Sequence, residues 1–365
     1  MKRILTVVGT RPNFIKISRF DELLNLPEQG IEHAVVHTSQ HYDDKMSGIF
    51  FEQLGIKPNY FLNAVEDGVV LQFASMMKGV EEVIDSYKPD LVIVPGDVNS
   101  TLAGALTANK KGLPVAHIES GLRSFDRSMP EEINRILVDQ ISDFCFVTEQ
   151  SGIQHLKSEG KRDDQIFFVG NTMIDTLVKC DEQIRVNNIL KSLNLEAEDF
   201  VLMTMHRPST VDFPEQLQKL LAVIRKIAKE KFVVFPLHPR TRRNLEKSGL
   251  IKEFEAIEKL IFCEPLDYLS FQKLILECSF VITDSGGIQE ETTFRQVPCI
   301  TLRNNTERPS TIDIGTNTLS PFDTDVLFNL INHIEDGTYK KGAIPPLWDG
   351  KASERIRDQL FAILK

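Results

Sequence analysis

Residues 281–291 read Val281-Ile-Thr-Asp-Ser-Gly-Gly-Ile-Gln-Glu-Glu291. The β-branched run up to Thr283 predicts a strand, Gly286 and Gly287 allow a sharp turn with close backbone approach, and a helix is expected to open near Ile288. The free N–H groups and positive dipole end of such a helix suit a phosphate, and Ser285 adds a hydroxyl. Glu291 lies four residues beyond Gly287, one turn into the helix, where a carboxylate can accept both hydroxyls of a ribose. A plain strand-to-helix turn needs neither two glycines nor an acidic pair.

The same alternation runs outward in both directions. Short apolar runs at Ile4–Val8, Ala34–His37, Leu91–Val94, Val115–Ile118, Phe144–Val147 and Ile166–Val169 predict one series of strands. A second series is expected at Phe200–Met205, Phe232–Pro236, Leu260–Phe262, Phe280–Thr283 and Cys299–Leu302. Between them lie amphipathic segments such as Glu215–Ala228, where Leu217, Leu220, Leu221, Ile224 and Ile227 share one face, preceded by Asp212 and Glu215 at capping-box spacing. Alternating strand and helix means parallel sheets covered on both faces, and the polar stretch Cys180–Asp199 separates the two series. Two doubly wound α/β domains follow, residues 1–175 and 176–350, with a C-terminal helix in 351–365. Ligands of such sheets sit beyond the carboxyl ends of the strands.

Composition narrows the partners. With 52 acidic and 42 basic residues among 365, the formal charge is −10, which excludes broad electrostatic binding to nucleic acid or anionic membrane but not a small polyanion held by local cations. Five cysteines without C-x-x-C spacing predict core thiols in a reducing compartment. The N-terminal apolar run is too short for a signal segment, and no stretch approaches the ~18 apolar residues of a spanning helix. A cytoplasmic protein is expected.

Strand ends collect the chemistry. After the first strand, Arg11 and Lys16 straddle a helix start at Pro12, where cations oppose the dipole and are better explained by an anion. Three carboxylates come from the first half: Asp97 in a Pro-Gly turn, Glu119 directly after a buried strand, and Glu131 opening a helix after Pro130. Turn capping for Asp97 and first-turn dipole stabilisation for Glu131 and Glu132 are the plainer explanations. Glu119 costs desolvation unless it is paired or working. Arg123, Arg127 and Arg135 are candidate partners. In the second half, His206 and His238 each follow a strand and adjoin Arg207 and Arg240 through short loops. No metal-ligand spacing, nucleophile elbow or RNA-recognition motif is present in the sequence.

Together, Gly9-Thr-Arg-Pro12, Gln40-His41, Pro95-Gly-Asp97, His117-Ile-Glu-Ser-Gly-Leu-Arg123, Pro130-Glu-Glu-Ile-Asn-Arg135, the 283–291 segment and Thr306-Glu-Arg-Pro309 resemble the non-hydrolysing UDP-N-acetylglucosamine 2-epimerases. The resemblance implies two Rossmann-like domains in the glycosyltransferase-B arrangement, a homodimer, and interconversion of UDP-GlcNAc and UDP-ManNAc without metal or nicotinamide. It also implies that the C-terminal helix crosses back onto the first domain. By motif, it puts acid/base roles on Asp97, Glu119 and Glu131 and a catalytic histidine at His206. It puts UDP contacts at Arg11, Lys16, Ser285, Gly286, Gly287, Glu291 and Arg308, with uracil near Leu266 and Phe271. Gln40, Glu132, Arg207 and His238 match an activator site that some members have.

Two departures stand out. Members commonly read His-Arg-Arg-Glu-Asn where this chain has His206-Arg-Pro-Ser-Thr210, and Asn13 stands where a glutamate is common. The accepted sugar can therefore differ from N-acetylglucosamine. A hydrolysing epimerase, a glycosyltransferase of the same architecture and a non-catalytic UDP-sugar sensor are the alternatives.

Overall fold

Each expected strand of the first half joins one parallel sheet. Its members are β1 (Lys2–Val8), β2 (Ile31–His37), β3 (Tyr60–Phe61), β4 (Leu91–Pro95), β5 (Val115–Ser120), β6 (Phe144–Val147) and β7 (Ile166–Phe168), in the order β3-β2-β1-β4-β5-β6-β7. The second sheet contains β8 (Phe200–Thr204), β9 (Phe232–Pro236), β10 (Leu260–Cys263), β11 (Phe280–Thr283), β12 (Cys299–Leu302) and β13 (Asn317–Ser320), in the order β10-β9-β8-β11-β12-β13. This is a computed structural model, and it describes residues 1–38, 44–65 and 68–365.

The chain divides into two units, residues 1–179 with 346–365, and residues 180–345. The expected boundaries at 175 and 350 lie a few residues from these divisions. The polar stretch at the first division is not structureless: it carries two short helices, Asp181–Val186 and Ile189–Ser192. Helix Pro214–Ile227 buries Leu217, Leu220, Leu221, Ile224 and Ile227, the face read from its periodicity. Its start differs from the expected capping box. Pro214 occupies the first turn, as its fixed φ favours, and Asp212 instead accepts two bonds from Arg240, at 2.8 and 2.6 Å.

Both sheets are buried on both faces, which explains why their central strands are apolar at nearly every position. Val92, Ile93, Val94, Val115 and Ala116 are fully buried in the first unit, as are Val201, Leu202, Val281 and Ile282 in the second. In each sheet the chain reverses its direction of winding once. The reversal lies between β1 and β4 in the first sheet and between β8 and β11 in the second. The loops leaving those four strands cannot be covered by a crossover on both sides, so the groups they carry stay accessible. Those loops hold Arg11, Asp97, His206 and Ser285.

The last segment belongs to the first unit. Helix Ala352–Ile363 starts on the buried Asp175 carboxylate, which accepts the backbone N–H groups of Ala352 at 3.0 Å and Ser353 at 2.5 Å. Just before it, the buried Trp348 donates its indole N–H to the carbonyl of Thr148 at 3.0 Å. Asp175 thus caps a helix that begins 177 residues later in the chain. Asp175→Ala is expected to cost at least the ~1–2 kcal/mol of a lost N-cap. Hydrogen exchange should then rise first in residues 352–363. Unchanged protection there would show that the Asp175 cap is not what holds the segment, leaving Trp348, the Arg19–Glu354 pair and the buried Ile356 and Leu360 to do so.

Candidate active site

In the first unit, Glu119 is held in an unusual conformation. It lies inside β5 with φ of +72°, and the pairing register with β6 slips between Ile118 and Ser120. A left-handed non-glycine residue within a strand carries strain, so the surroundings must over-determine it. Part of that determination is an ion pair. The Glu119 carboxylate contacts the Lys16 ammonium, and the two side chains are only 6% and 4% exposed. Gly96 makes room for them: a Cβ at that position would stand 2.7 Å from Lys16 Nζ. Lys16, read from sequence as an anion contact, therefore has the Glu119 carboxylate as its partner. The sequence offered no local signal for this, because the two residues belong to different strand ends.

Asp97 has its own partner. Arg135 reaches its carboxylate at 2.5 Å, and Asn134 donates to its backbone carbonyl at 2.8 Å. Arg135 also donates to Glu132 at 2.8 Å. Glu132 accepts the backbone N–H groups of Ser124 and Phe125, each at 2.9 Å, and so ties down the loop that follows β5. Both Glu132 oxygens are thereby engaged within the unit. Arg123 takes neither Asp97 nor Glu119; its partners are Asp139 and Glu159. Glu131 stands half-buried in the first turn of helix Pro130–Ile141. Asn13 stitches β1 to β4: its amide donates to the Pro95 carbonyl at 2.9 Å while its oxygen accepts the Gly9 and Thr10 N–H groups at 3.2 and 3.3 Å. Arg11, two residues earlier, opens helix Arg11–Ile17. Gln40 and His41 lie outside the described residues.

In the second unit a residue not singled out from the sequence organises the site. Asp284, fully buried, lies 2.8 Å from Nδ1 of His206 through one oxygen. Its other oxygen accepts the backbone N–H groups of His206 at 2.9 Å and Arg207 at 2.8 Å. Its own carbonyl accepts a bond from Arg207 Nε at 2.8 Å. Burial works against the ionised Asp284, yet the bond and charge of His206 and the two N–H groups outweigh it and hold the carboxyl below its ordinary range. The His206 side chain is 40% exposed, so the ring is oriented from behind while remaining open on its other side. His238 lies beside it, ring centroids 5.6 Å apart, with its Nδ1 accepting the Arg240 N–H at the start of helix Pro239–Lys247. The signal for Asp284 was present, since an acid directly after a buried strand has the same standing as Glu119.

Helix Gly287–Arg295 follows β11 as expected. A Cβ on Gly286 would stand 2.9 Å from both the Arg308 guanidinium and the Glu307 carboxylate, so a side chain there would displace that pair. Arg308 is pinned beside it, 2.9 Å from Glu290 and also in contact with Glu307, which takes a further bond from Arg303 at 3.0 Å. Thr306 donates to Gln289 at 2.8 Å and Gln289 donates to the Ser285 carbonyl at 3.1 Å, which sews the 306–309 motif onto the 283–291 motif. Glu291 is 5% exposed, and burial, aided by Glu290 and opposed by Gln272 and Arg295, pushes its carboxyl up to about 7. Leu266 and Phe271 pack half-buried at the adjoining helix Tyr268–Glu277. A positive helix end, a pinned arginine, an oriented histidine and a proton-hungry buried acid form a set suited to a nucleoside diphosphate.

Comparison with known proteins agrees with this chemistry. The family model for UDP-N-acetylglucosamine 2-epimerase matches residues 25–361. A UDP-N-acetylglucosamine 2-epimerase of Methanococcus maripaludis is 40% identical over 91% of this chain and 91% of its own. A UDP-2,3-diacetamido-2,3-dideoxy-D-glucuronate 2-epimerase of Pseudomonas aeruginosa is 39% identical over 98% of this chain and 99% of its own. Among solved structures, the Methanocaldococcus jannaschii UDP-GlcNAc 2-epimerase in complex with UDP-GlcNAc and UDP superposes with a TM-score of 0.88 at 39% identity, covering 99% of this chain and 100% of that one.

The Glu291 environment has a measurable consequence. Its folded value lies above the unfolded value, so its contribution to stability is fully present below about pH 4.5 and is lost as pH rises through about 7. Glu291→Gln is therefore expected to stabilise the ligand-free protein above pH 7, by at most ~3 kcal/mol, and to leave it unchanged near pH 4. On the sequence expectation that Glu291 accepts the ribose hydroxyls, UDP affinity should fall in the same variant, which removes the charged acceptor. Melting curves and calorimetry across pH check both signs; a variant less stable than the parent at pH 8 would contradict them.

Proposed function

The chain belongs to the UDP-N-acetylglucosamine 2-epimerase family, and we propose that it reversibly inverts C2 of UDP-GlcNAc to give UDP-ManNAc by eliminating and re-adding UDP, without hydrolysis. The observation that carries this reading is the oriented His206 on Asp284 beside the helix start at Ser285 and Gly286, in a chain whose first unit holds the paired carboxylates Asp97 and Glu119.

The C2 hydrogen of the sugar is not adjacent to a carbonyl, so a carboxylate of ordinary basicity cannot remove it unaided. Stretching of the C1–oxygen bond supplies the missing acidity, as C1 gains oxocarbenium character and negative charge moves to the departing UDP. His206, Arg308, Arg11 and the N–H groups of the 285–287 turn would receive that charge. As the bond breaks, one carboxylate among Asp97, Glu119 and Glu131 takes the C2 proton and a C1–C2 double bond forms, giving 2-acetamidoglucal and UDP. Protonation at C2 from the opposite face and return of the UDP oxygen to C1 give the epimer. The sequence of steps is redox-neutral and balances without metal or nicotinamide.

A second substrate is supported by the Pseudomonas relative, which acts by its name on a diacetamido glucuronate sugar. The departing UDP would be handled alike, and only the sugar contacts would differ. On the same reading we expect a cytoplasmic homodimer, and light scattering checks the dimer.

Proton NMR with UDP-GlcNAc in deuterium oxide tests the proposal directly. UDP-ManNAc carrying deuterium at C2 is expected, in the presence of chelator and without added NAD. Free N-acetylmannosamine with UDP would replace the proposal with a hydrolysing epimerase. Full retention of the C2 hydrogen would exclude the elimination route. Turnover confined to UDP-2,3-diacetamido-2,3-dideoxy-D-glucuronate would assign the second substrate.

A further inference from the structure

Behind Asp97 and Glu119 lies a buried group for which the chemistry above has no role. His117, two residues before Glu119 on β5, is fully buried, as is Asp139 on helix Pro130–Ile141. Nδ1 of the His117 ring is 2.7 Å from Oδ1 of Asp139, and its Nε2 is 2.8 Å from the carbonyl oxygen of Gly96. The second Asp139 oxygen accepts the Gly121 N–H at 3.0 Å and faces Arg123 Nη1 at 2.7 Å. A carbonyl and an ionised carboxylate only accept hydrogen bonds, so a ring bonded to both donates from both nitrogens.

The connectivity gives this ring a task. Segment 117–121 has the strained Glu119 at its centre, and both of its ends bind the same carboxylate, one through the His117 ring and the other through the Gly121 N–H. The second ring nitrogen holds the peptide next to Asp97. One imidazolium and one carboxylate thus fix the two strand ends that carry Glu119 and Asp97. Burial opposes the ionised Asp139, but His117 and then Arg123 outweigh it and hold the carboxyl below its ordinary range. The other polar neighbours do not compete. Arg123 shares its guanidinium between the second Asp139 oxygen and Glu159, at 2.7 and 2.6 Å, which leaves Oδ1 to the ring, and Cys145, the strand partner of His117, is a thiol that burial pushes up to about 12.

Resting on the epimerase reading, we propose that His117 and Asp139 are positioning residues: a buried, doubly donating imidazolium and its carboxylate, which hold Glu119 and Asp97 in register for proton transfer at C2. Neither touches the reacting atoms. Their effect is on how well the carboxylates are aimed, and misplacement by about 1 Å is enough to cost on the order of 10²-fold in rate.

Two variants and one spectrum test this on the full-length protein. His117→Gln cannot bridge both acceptors, so kcat is expected to fall on the order of 10²-fold while UDP affinity and KM stay unchanged. Asp139→Asn lets a neutral ring keep its bond to Gly96 and accept one from the new amide, so most of the kcat is expected to survive. Nitrogen-15 NMR of the His117 ring in the folded protein, assigned by difference from the variant, should show both nitrogens protonated, as the two acceptors on the ring require. A single-proton tautomer would overturn the imidazolium. Unchanged kcat in His117→Gln, or parallel loss of melting temperature, UDP affinity and kcat in both variants, would overturn the positioning role. Wild-type protein that fails to epimerise any UDP-sugar would instead refute the epimerase reading, and the NMR spectrum would still decide the state of the ring.

Discussion

One arrangement recurs in both units: a fully buried aspartate whose two oxygens are divided between a histidine ring and backbone N–H groups. Asp139 binds the His117 ring with one oxygen and the Gly121 N–H with the other. Asp284 faces the His206 ring with one oxygen and takes the His206 and Arg207 N–H groups on the other. The constraint behind it is desolvation. A charge at the carboxyl end of a buried parallel strand is unfavourable unless every lone pair finds a donor, and removing one partner of such a set typically costs about 3–5 kcal/mol. Loops that would otherwise be mobile are thereby fixed to the rigid part of each sheet, and the reactive side chains inherit their placement from these aspartates.

The same device yields different outcomes because the rings differ in exposure. His117 is sealed in and both of its nitrogens are committed, so it can only hold structure. His206 is 40% exposed, so its orientation is set from behind while its outer edge remains available to a ligand. The positively charged groups are pre-paired in a similar way: Lys16 with Glu119, Arg135 with Asp97 and Glu132, Arg308 with Glu290 and Glu307. A chain of formal charge −10 can in this way carry cations suited to a small polyanion, each already offset by a carboxylate.

The fold was legible wherever burial left a periodic mark. All eleven expected strands are present, because a sheet covered on both faces makes its strands almost continuously apolar. The two that escaped notice, β3 and β13, are sheet edges. Tyr60–Phe61 is only two residues long, and Asn317–Ser320 has a single large apolar residue, so neither leaves a hydrophobic run. The candidate residues were legible because strand ends are local features. Their partners were not, since pairing is a property of the folded chain. Nothing near Lys16 in sequence announces Glu119, and Arg123, the arginine nearest to Glu119, binds Asp139 and Glu159 instead. Lys16 was read as an anion contact on the premise of a cation opposing a helix start, but it lies in the last turn of helix Arg11–Ile17, where a cation suits the dipole, and its side chain meets the Glu119 carboxylate.

Strain and unmet polarity separate the working parts from the scaffold. Among the residues with left-handed backbone, Lys88 and Gln296 simply end helices, where that conformation is ordinary. Glu119 is different, because it adopts the conformation inside a strand and next to a register slip, where nothing about helix termination requires it. In the second unit the corresponding liability is Glu291, a buried acid whose carboxyl is pushed up to about 7 by desolvation. Neither feature helps the chain fold. An apolar residue at 291 and a regular strand through 119 would serve the cores better, so both persist against the preference of the scaffold. The proposed epimerase function gives a physical reason for keeping them, since under it each is used when a ligand arrives: hydroxyls donated to Glu291, a proton offered to the carboxylates of the first unit. The functional reading therefore rests on places where the sequence departs from what its own fold would favour.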